Sequence, residues 1–498
     1  MNKKETSSSY SHILKYTSIF GGVQGLVILI GMVRNKLIAL LLGPQGMGLM
    51  ALFNSTVRLI SDTTGLGLGV SAVRELSRLY DEEHHEELKS RIELIRSWSV
   101  ITACLGFVLC VVLSPLINHY SFSWGNHTLH FMLLAPIIAL TALSAGELSI
   151  LKATRKLRMM GLMKVAIRRL AEISIYGVLC ALVTSVPLYY IFGESAIVPS
   201  LIIIALSQFI ITITYSFHYY PYRVHFDSAT FSEAKPMLRL GISFLGAGIM
   251  GSGSDFIVRS FLNYEGSLDD VGLYNAGYMI TMTYAGVIFS AMETDYFPRL
   301  SSVGNHIEER NLLVNRQLEV SLLLISPLLI LLMSTLPIAL PLLYSDAFLD
   351  VLPMVKVAIF AMFMRSLELP VSYIALSRGD SKAFFLLEAT YYLLFITMFW
   401  LGYKHAYLFG IGLGLVVTGL LFNLILYAFA YQKYSFCISK RMLLYLAIQL
   451  SLAGLVYFIS SNSNTLLSWS IQGASIVASS CFSFYILRNS ISGIFKRK

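Results

Sequence analysis

Apolar residues occupy run after run of about twenty positions, the length of helix that crosses some 30 Å of hydrocarbon. The runs recur from Ser11 to Leu487 with short polar interruptions. Such continuous runs predict buried or lipid-facing helices, since a half-exposed strand would alternate and a surface helix would show a polar face. Fourteen spans follow, near residues 14–42, 46–74, 96–119, 128–152, 161–187, 196–221, 237–262, 271–298, 317–344, 351–376, 383–402, 407–431, 442–460 and 467–487. Between the second and third spans, Leu88, Ile92 and Ile95 recur at helical spacing among acids and bases, which predicts an amphipathic helix or loop over residues 80–95.

Composition agrees with the pattern. Of 498 residues, 56% are hydrophobic and 13% charged, against about 25% charged in an average soluble domain. The fold class is therefore an all-α polytopic membrane protein. The lysines Lys3 and Lys4 precede an apolar run, as in a signal peptide, but no small-residue cleavage site follows before Arg34, so residues 1–11 read as the start of the first helix. Cys104, Cys110, Cys180, Cys437 and Cys481 form no CxxC pair, and the histidines show no HxxxH or HExxH spacing. Neither a disulfide framework nor a metal site is expected.

The loops alternate in basic content, which fixes orientation. One set carries Arg74, Arg78, Lys89 and Arg91, then Lys152 to Lys164, Arg223 and Lys235, Arg299 and Arg310, Arg378 and Lys382, and Lys433 to Arg441. The other is short and carries Glu265, Asp269, Asp270, Asp346 and Asp350, with Lys404 its clear cation. The basic set is expected in the cytoplasm, with both termini. The net charge of +9 follows from this asymmetry and calls for no nucleic-acid partner. The short exterior loops leave no room for an extracytoplasmic catalytic domain, so no enzyme activity is expected.

A weak internal repeat relates two halves. When Gly48-Leu49 is laid on Gly272-Leu273, Arg34 falls within one position of Arg259, and ILKATRK after the fourth span echoes IALSRGDSK after the tenth. The expected domains are a first six-helix lobe at 1–222, a second at 223–432 and a helix pair at 433–498. Transporters built from repeats place substrate between the lobes.

Charge inside the spans then becomes the candidate chemistry. Arg34, Arg58, Asp62, Glu147, Glu172, Asp255, Arg259, Glu293, Asp295, Lys356, Arg365 and Glu368 all fall within apolar runs. A cation at the bilayer centre costs from about 2.5 to over 10 kcal/mol, so such residues face a water-filled cavity or a counter-charge. Arg58–Asp62 and Asp255–Arg259 are each four apart on one helical face, which permits a structural ion pair. Lys36 lies near enough to Gly43 to lift its ammonium to the interface. The remaining arginines suit an anion, and the planar guanidinium fork matches a phosphate better than an ammonium does. Glycines in TTGLGLGV and GISFLGAGIMGSGSD leave the second and seventh spans nearly bare on one side, suited to close helix packing.

The segment DFIVRSFLNYEGSLDDVGLYNAGYM followed by ETDYFPRLSSV is similar to the seventh and eighth helices of the polysaccharide flippases, the O-unit and lipid III translocases of bacterial inner membranes. RNKLIALLLGPQGMGLMALFN and GLGLGVSAVREL resemble the first two helices of the enterobacterial common antigen type. That superfamily also holds multidrug antiporters and the lipid II flippase. The resemblance implies a V-shaped, two-lobed, alternating-access transporter of the bacterial inner membrane. It would move an undecaprenyl-diphosphate-linked oligosaccharide, such as an O-antigen unit, to the periplasmic leaflet. By the same resemblance Arg34, Arg58, Arg259 and Arg365 would meet the diphosphate, with surface-polysaccharide polymerase machinery as a partner. Two helices beyond the usual twelve leave a lipid II-type or other glycolipid as an alternative cargo. A cation-coupled drug antiporter would carry a carboxylate where Arg34 stands, and a membrane glycosyltransferase or polymerase would need a large exterior loop. No cofactor is expected. Coupling would draw on a proton or sodium gradient through Asp62, Asp255, Glu293 or Glu368, or on the membrane potential.

Overall fold

The structure, a computed structural model, describes the backbone of residues 3–81, 85–154, 160–217, 221, 223, 224, 226, 228–284, 286–304, 306–462 and 466–495. Helix α1 (Lys3–Thr64) holds the first two expected spans, because Gly43 leaves helical geometry at φ 64 and Pro44 restarts the helix at a position where no N–H is needed. After a break at Gly65 to Gly67, α2 (Leu68–Asp81) completes the second span. Helices α3 (His85–Ser121), the short α4 (Thr128–Met132) and α5 (Ala135–Thr154) follow. Then α6 (Met160–Phe192) and α7 (Ile197–Phe217) meet at a single 3-10 turn, Gly193–Ala196. Next come α8 (Ser228–Glu265), α9 (Leu268–Tyr278) and α10 (Val287–Val303), the last two joined by π-helical Met279–Tyr284. Helices α11 (Ile307–Leu343), α12 (Leu352–Ser377), α13 (Ser381–Tyr434), α14 (Lys440–Asn462) and α15 (Leu466–Phe495) complete the chain. Non-helical Ala406 and Tyr407 divide α13 into the eleventh and twelfth expected spans.

The fold is all-α, with no strand among the described residues. Nine stretches of described helix are long and apolar enough to cross a membrane; Ser381–Tyr434 contains two expected spans, and Val23–Thr64 and Arg169–Phe217 each cover parts of two. This is a multi-pass membrane protein. The expected spans 237–262 and 271–298 are helical too, but they are rich in glycine, serine and charge and lie outside those nine.

The chain divides into two compact units, residues 1–272 and 273–498. In the first, α1 packs on α6, α3 and α7 pack on α5, and α8 packs on α1, α2 and α3. Helix α8 begins beyond the expected lobe boundary at 222, yet its packing partners lie in the first unit. In the second, α12 lies between α11 and α13, and the final pair α14 and α15 packs on α11. Leu88, Ile92 and Ile95, the expected amphipathic stripe, are buried with Leu76, Leu79 and Trp98, so α2 and the start of α3 share a small core with Ile150 and Ala153 of α5 and Ala234 of α8. The segment Glu82 to His84 between them lies outside the described residues.

Two close backbone approaches hold the first unit. A Cβ on Gly272 would collide with the Pro44 carbonyl, and one on Gly48 with the Leu268 carbonyl. The two positions aligned by the sequence repeat therefore touch. At the other crossing, a Cβ on Gly67 would strike the Gly241 backbone of α8, and one on Gly241 the Leu66 carbonyl.

In the second unit Asp380 caps α13, accepting from Ala383 N at 3.2 Å and from the Tyr434 hydroxyl at 2.9 Å, with Lys433 Nζ at 2.5 Å. The first and last turns of α13 are thereby tied to one carboxylate. Hydrogen bonds from Lys433 and then Tyr434 hold its pKa below the ordinary value of 3.8.

Two outcomes follow from these contacts. Gly272→Ala should cost about 1–3 kcal/mol through forced separation of α1 and α9. Gly473→Ala, whose Cβ meets nothing within 4 Å, should be neutral or slightly stabilising, and thermal unfolding of the two purified variants compares them. Because the folded-state pKa of Asp380 is depressed, its stabilisation is complete above 3.8 and is lost as pH falls through the lower folded value. Asp380→Asn should therefore flatten the acid limb of the melting-temperature profile, and an unchanged limb would refute the assignment.

Candidate functional site

The four candidate arginines occupy four different environments. Arg34 stands on α1 where it packs against α6. Its Nε donates to Ser185 Oγ at 3.2 Å, and Ser185 in turn donates to the Ala181 carbonyl at 2.5 Å. The Tyr189 ring sits one turn further along α6 beside the guanidinium, its hydroxyl paired with Ser200 Oγ at 2.5 Å. Among the described residues Arg34 forms no ion pair. Its neighbours are hydroxyls, which can accept a hydrogen bond but cannot cancel a charge.

Arg58 has a carboxylate one turn away, but Nε and Asp62 Oδ2 are 3.7 Å apart, too far for a hydrogen bond, and 64% of the Arg58 side chain is exposed. Arg259 is buried and takes Asp255 twice, through the carboxylate and through the carbonyl at 3.1 Å. Beside it Asn263 Nδ2 donates to the Ser121 carbonyl at 2.6 Å, and Ser260 and Ser121 share a hydroxyl bond of 3.0 Å, locking α8 to α3. In the second unit Arg365 Nη1 holds Glu368 Oε1 at 2.7 Å and its Cζ lies 5.5 Å from the centre of the Tyr391 ring. Glu388 and Tyr392 on α13 lie beside the same guanidinium. The expected intrahelical pairs are present, at Arg58–Asp62 loosely and at Asp255–Arg259 tightly. Glu293 and Asp295 lie on α10, and their side chains are outside the described residues.

Other buried charges serve the scaffold. Arg96 is 1% and Glu147 3% exposed. Arg96 meets Glu147 Oε1 at 2.8 Å and Oε2 at 3.2 Å, with the Pro221 carbonyl at 2.7 Å and Ser216 Oγ at 3.3 Å. Ser216 also donates to the same carboxylate. One network thus fastens α3, α5 and α7. Glu172 accepts from the Tyr215 hydroxyl at 2.8 Å, and Lys356 donates to the Ser460 carbonyl at 2.9 Å, joining α12 to α14.

Sequence reasoning did not weigh Arg96, Tyr189 or Glu388. Arg96 was legible: it opens the third span while Glu147 sits near the end of the fourth, so antiparallel neighbours bring them to one depth. Tyr189 and Glu388 gave no signal in spacing, because their partners lie on other helices.

The Arg96–Glu147 network sets a test of scaffold against site. Glu147→Ala leaves a buried uncompensated guanidinium and should cost about 3–5 kcal/mol, whereas an Arg96→Met, Glu147→Leu double variant should recover much of that loss. Thermal unfolding of both reads the difference, and a double variant no more stable than Glu147→Ala would contradict it.

A family model described as polysaccharide biosynthesis protein matches residues 13–303. No curated protein matches the chain in sequence. Among solved structures, the lipid II flippase MurJ in an inward closed conformation superposes with a TM-score of 0.67 at 14% identity, over 95% of this chain and 99% of that one. An inward-facing multidrug resistance MATE family transporter of the MOP superfamily gives 0.65 at 13% identity, over 82% and 94%. A MOP superfamily transporter from Pyrococcus furiosus gives 0.53 at 15% identity, over 84% and 93%. These likenesses show the fold.

Proposed function

Since that family match spans more than half of its length, the chain belongs to the polysaccharide biosynthesis protein family, and from this premise we propose that it is a flippase. It carries an undecaprenyl-diphosphate-linked oligosaccharide, an O-antigen or related unit, from the cytoplasmic to the periplasmic leaflet of the inner membrane. Both termini are cytoplasmic, and the work is translocation by alternating access rather than bond-making.

The observation that carries this reading is Arg34, a guanidinium inside an apolar span whose described partners are hydroxyls. A permanent cation there is stabilised by water in an open cavity and by an anion when loaded. The diphosphate headgroup supplies that anion, and a guanidinium presents two parallel donors to it. Arg58, exposed and loosely paired, is the second diphosphate contact in the first unit. Arg259 would take a phosphate by exchanging Asp255 for its oxygens, and Arg365 by exchanging Glu368, so each acid acts as a placeholder in the unloaded protein. A drug antiporter would require negative charge where Arg34 stands, which disfavours that alternative. The neighbour named as a lipid II flippase fits a polyprenyl-diphosphate cargo of some kind, and the cargo's sugar would be chosen elsewhere in the chain.

The test is transfer of a fluorescent undecaprenyl-diphosphate-linked sugar across proteoliposomes. A charge-assisted hydrogen bond contributes about 1.5–3 kcal/mol, so Arg34→Leu should slow transfer by about 10–100-fold while the protein remains folded. Arg34→Lys keeps the charge without the fork and should lose less. Wild-type transfer rates in folded Arg34→Leu protein would defeat the reading.

A further inference from the structure

We propose that the break between α1 and α2 is a binding site for a hydrated sodium ion, centred on Asp62 and lying wholly within the first unit.

Irregular backbone at membrane depth persists only where it is buried in protein or lines a cavity. Here helix stops at Thr64 and resumes at Leu68, and between them Leu66 and Gly67 take positive φ values of 50 and 63. A leucine in that region is strained, and such strain survives only where its surroundings impose it. They do so here, because Gly241 of α8 presses directly on the Leu66 and Gly67 backbone.

Across the break the backbone bonds run from Gly65 N to Ser61 O at 2.9 Å and from Leu68 N to Gly65 O at 2.9 Å. The carbonyls of Asp62, Thr63 and Thr64 consequently receive no backbone N–H among the described residues. They form the negative end of the α1 dipole, where a cation is favoured.

A cleft of about 230 Å³ opens beside this end. Ser61, Asp62, Thr102 and Thr141 line it, together with small residues of the break and of α5. Thr102 and Thr141 spend their hydroxyl protons on the Ser99 and Ile137 carbonyls, at 3.1 and 2.7 Å. Their remaining lone pairs can face the cleft as oxygen ligands. Ser61 Oγ is buried and has no hydrogen-bond partner among the described residues. A buried hydroxyl without a partner requires an explanation, and a ligand is one.

The chemistry selects the ion. Carboxylate, hydroxyl and carbonyl oxygens form a hard donor set, suited to alkali and alkaline-earth cations rather than soft metals. A single carboxylate balances one positive charge, whereas calcium sites commonly collect several acids. The cleft is wider than a bare ion needs, so several waters complete the shell, each occupying about 30 Å³.

The ion would also act on Arg58. That guanidinium holds Asp62 at 3.7 Å on an exposed side chain. Sodium on the carboxylate would release Arg58 for an anion, which links the ion to cargo binding under the transport reading above.

The test measures thermal unfolding of the purified protein at several pH values, in rising sodium chloride against equal choline chloride, with no glycolipid present. A saturable, sodium-specific rise in melting temperature is expected. Asp62→Asn should abolish it, and Thr141→Val, which keeps the charge, should move its midpoint to higher sodium. If Asp62→Asn does not fold, Thr141→Val carries the test. No sodium-specific shift in the wild type, or the same shift in every folded variant, would overturn the proposal. A shift that follows pH but not sodium would overturn it too and would assign Asp62 to a proton. With no cargo in the assay, a negative result leaves the flippase reading standing.

Discussion

A guanidinium cannot shed its proton to enter a membrane, so every arginine in an apolar span must find a counter-charge, a cavity, or both. This constraint organises the protein. Arg259 and Arg365 meet it with an acid one turn away on their own helix, and Arg96 with an acid on another helix. The difference decides what each residue does for the structure. An intrahelical pair neutralises charge without fixing how helices sit, whereas the Arg96–Glu147 network joins three helices and engages all three guanidinium nitrogens. Among the described residues Arg34 meets the constraint with hydroxyls, which leaves its charge open to an anion.

Polar fastening of this kind requires helices that approach closely, and glycine supplies that approach at two crossings of the first unit. At Gly48 and Gly272 a Cβ would overlap carbonyl oxygen, so the backbones themselves are in contact. Lipid gives no hydrophobic incentive for helices to associate, and close packing through small residues takes that role. At Gly67 and Gly241 the same device does something further, holding a non-helical segment in place where the backbone has lost its own hydrogen bonds. Glycines of the second and eighth spans therefore serve packing at one crossing, and those of the second and seventh an irregular segment at the other.

The all-α architecture and the span boundaries were legible because apolar length is a one-dimensional signal. The turn at Gly43-Pro44 and the division of α13 near Ala406 fall where the polar interruptions do. Pairs on one helix were legible for the same reason, since a spacing of three or four fixes the face. Contacts between helices were not. Ser185 beside Arg34 and Glu388 beside Arg365 depend on which helices are neighbours, and hydropathy carries no record of that. The break at Gly65 to Gly67 was visible as glycine, but TTGLGLGV reads equally as a packing face. Only the positive φ at Leu66 and the unbonded carbonyls distinguish an interrupted helix from a bare one.

The placeholder acids carry a consequence for how a flippase of this design would run. Diphosphate would take Arg259 or Arg365 only by displacing a carboxylate that is itself largely shielded from water. A displaced carboxylate left bare would be as costly as the bare guanidinium it had served, because desolvation penalises either sign. Cargo binding at such arginines is then favourable only if the freed acid takes up a proton or a metal cation at the same time. Arg34, with hydroxyl neighbours and no acid to displace among the described residues, is exempt from that requirement. On the proposed reading, Arg34 would bind diphosphate without a coupled cation, and the acid-paired arginines would make the remaining affinity depend on one.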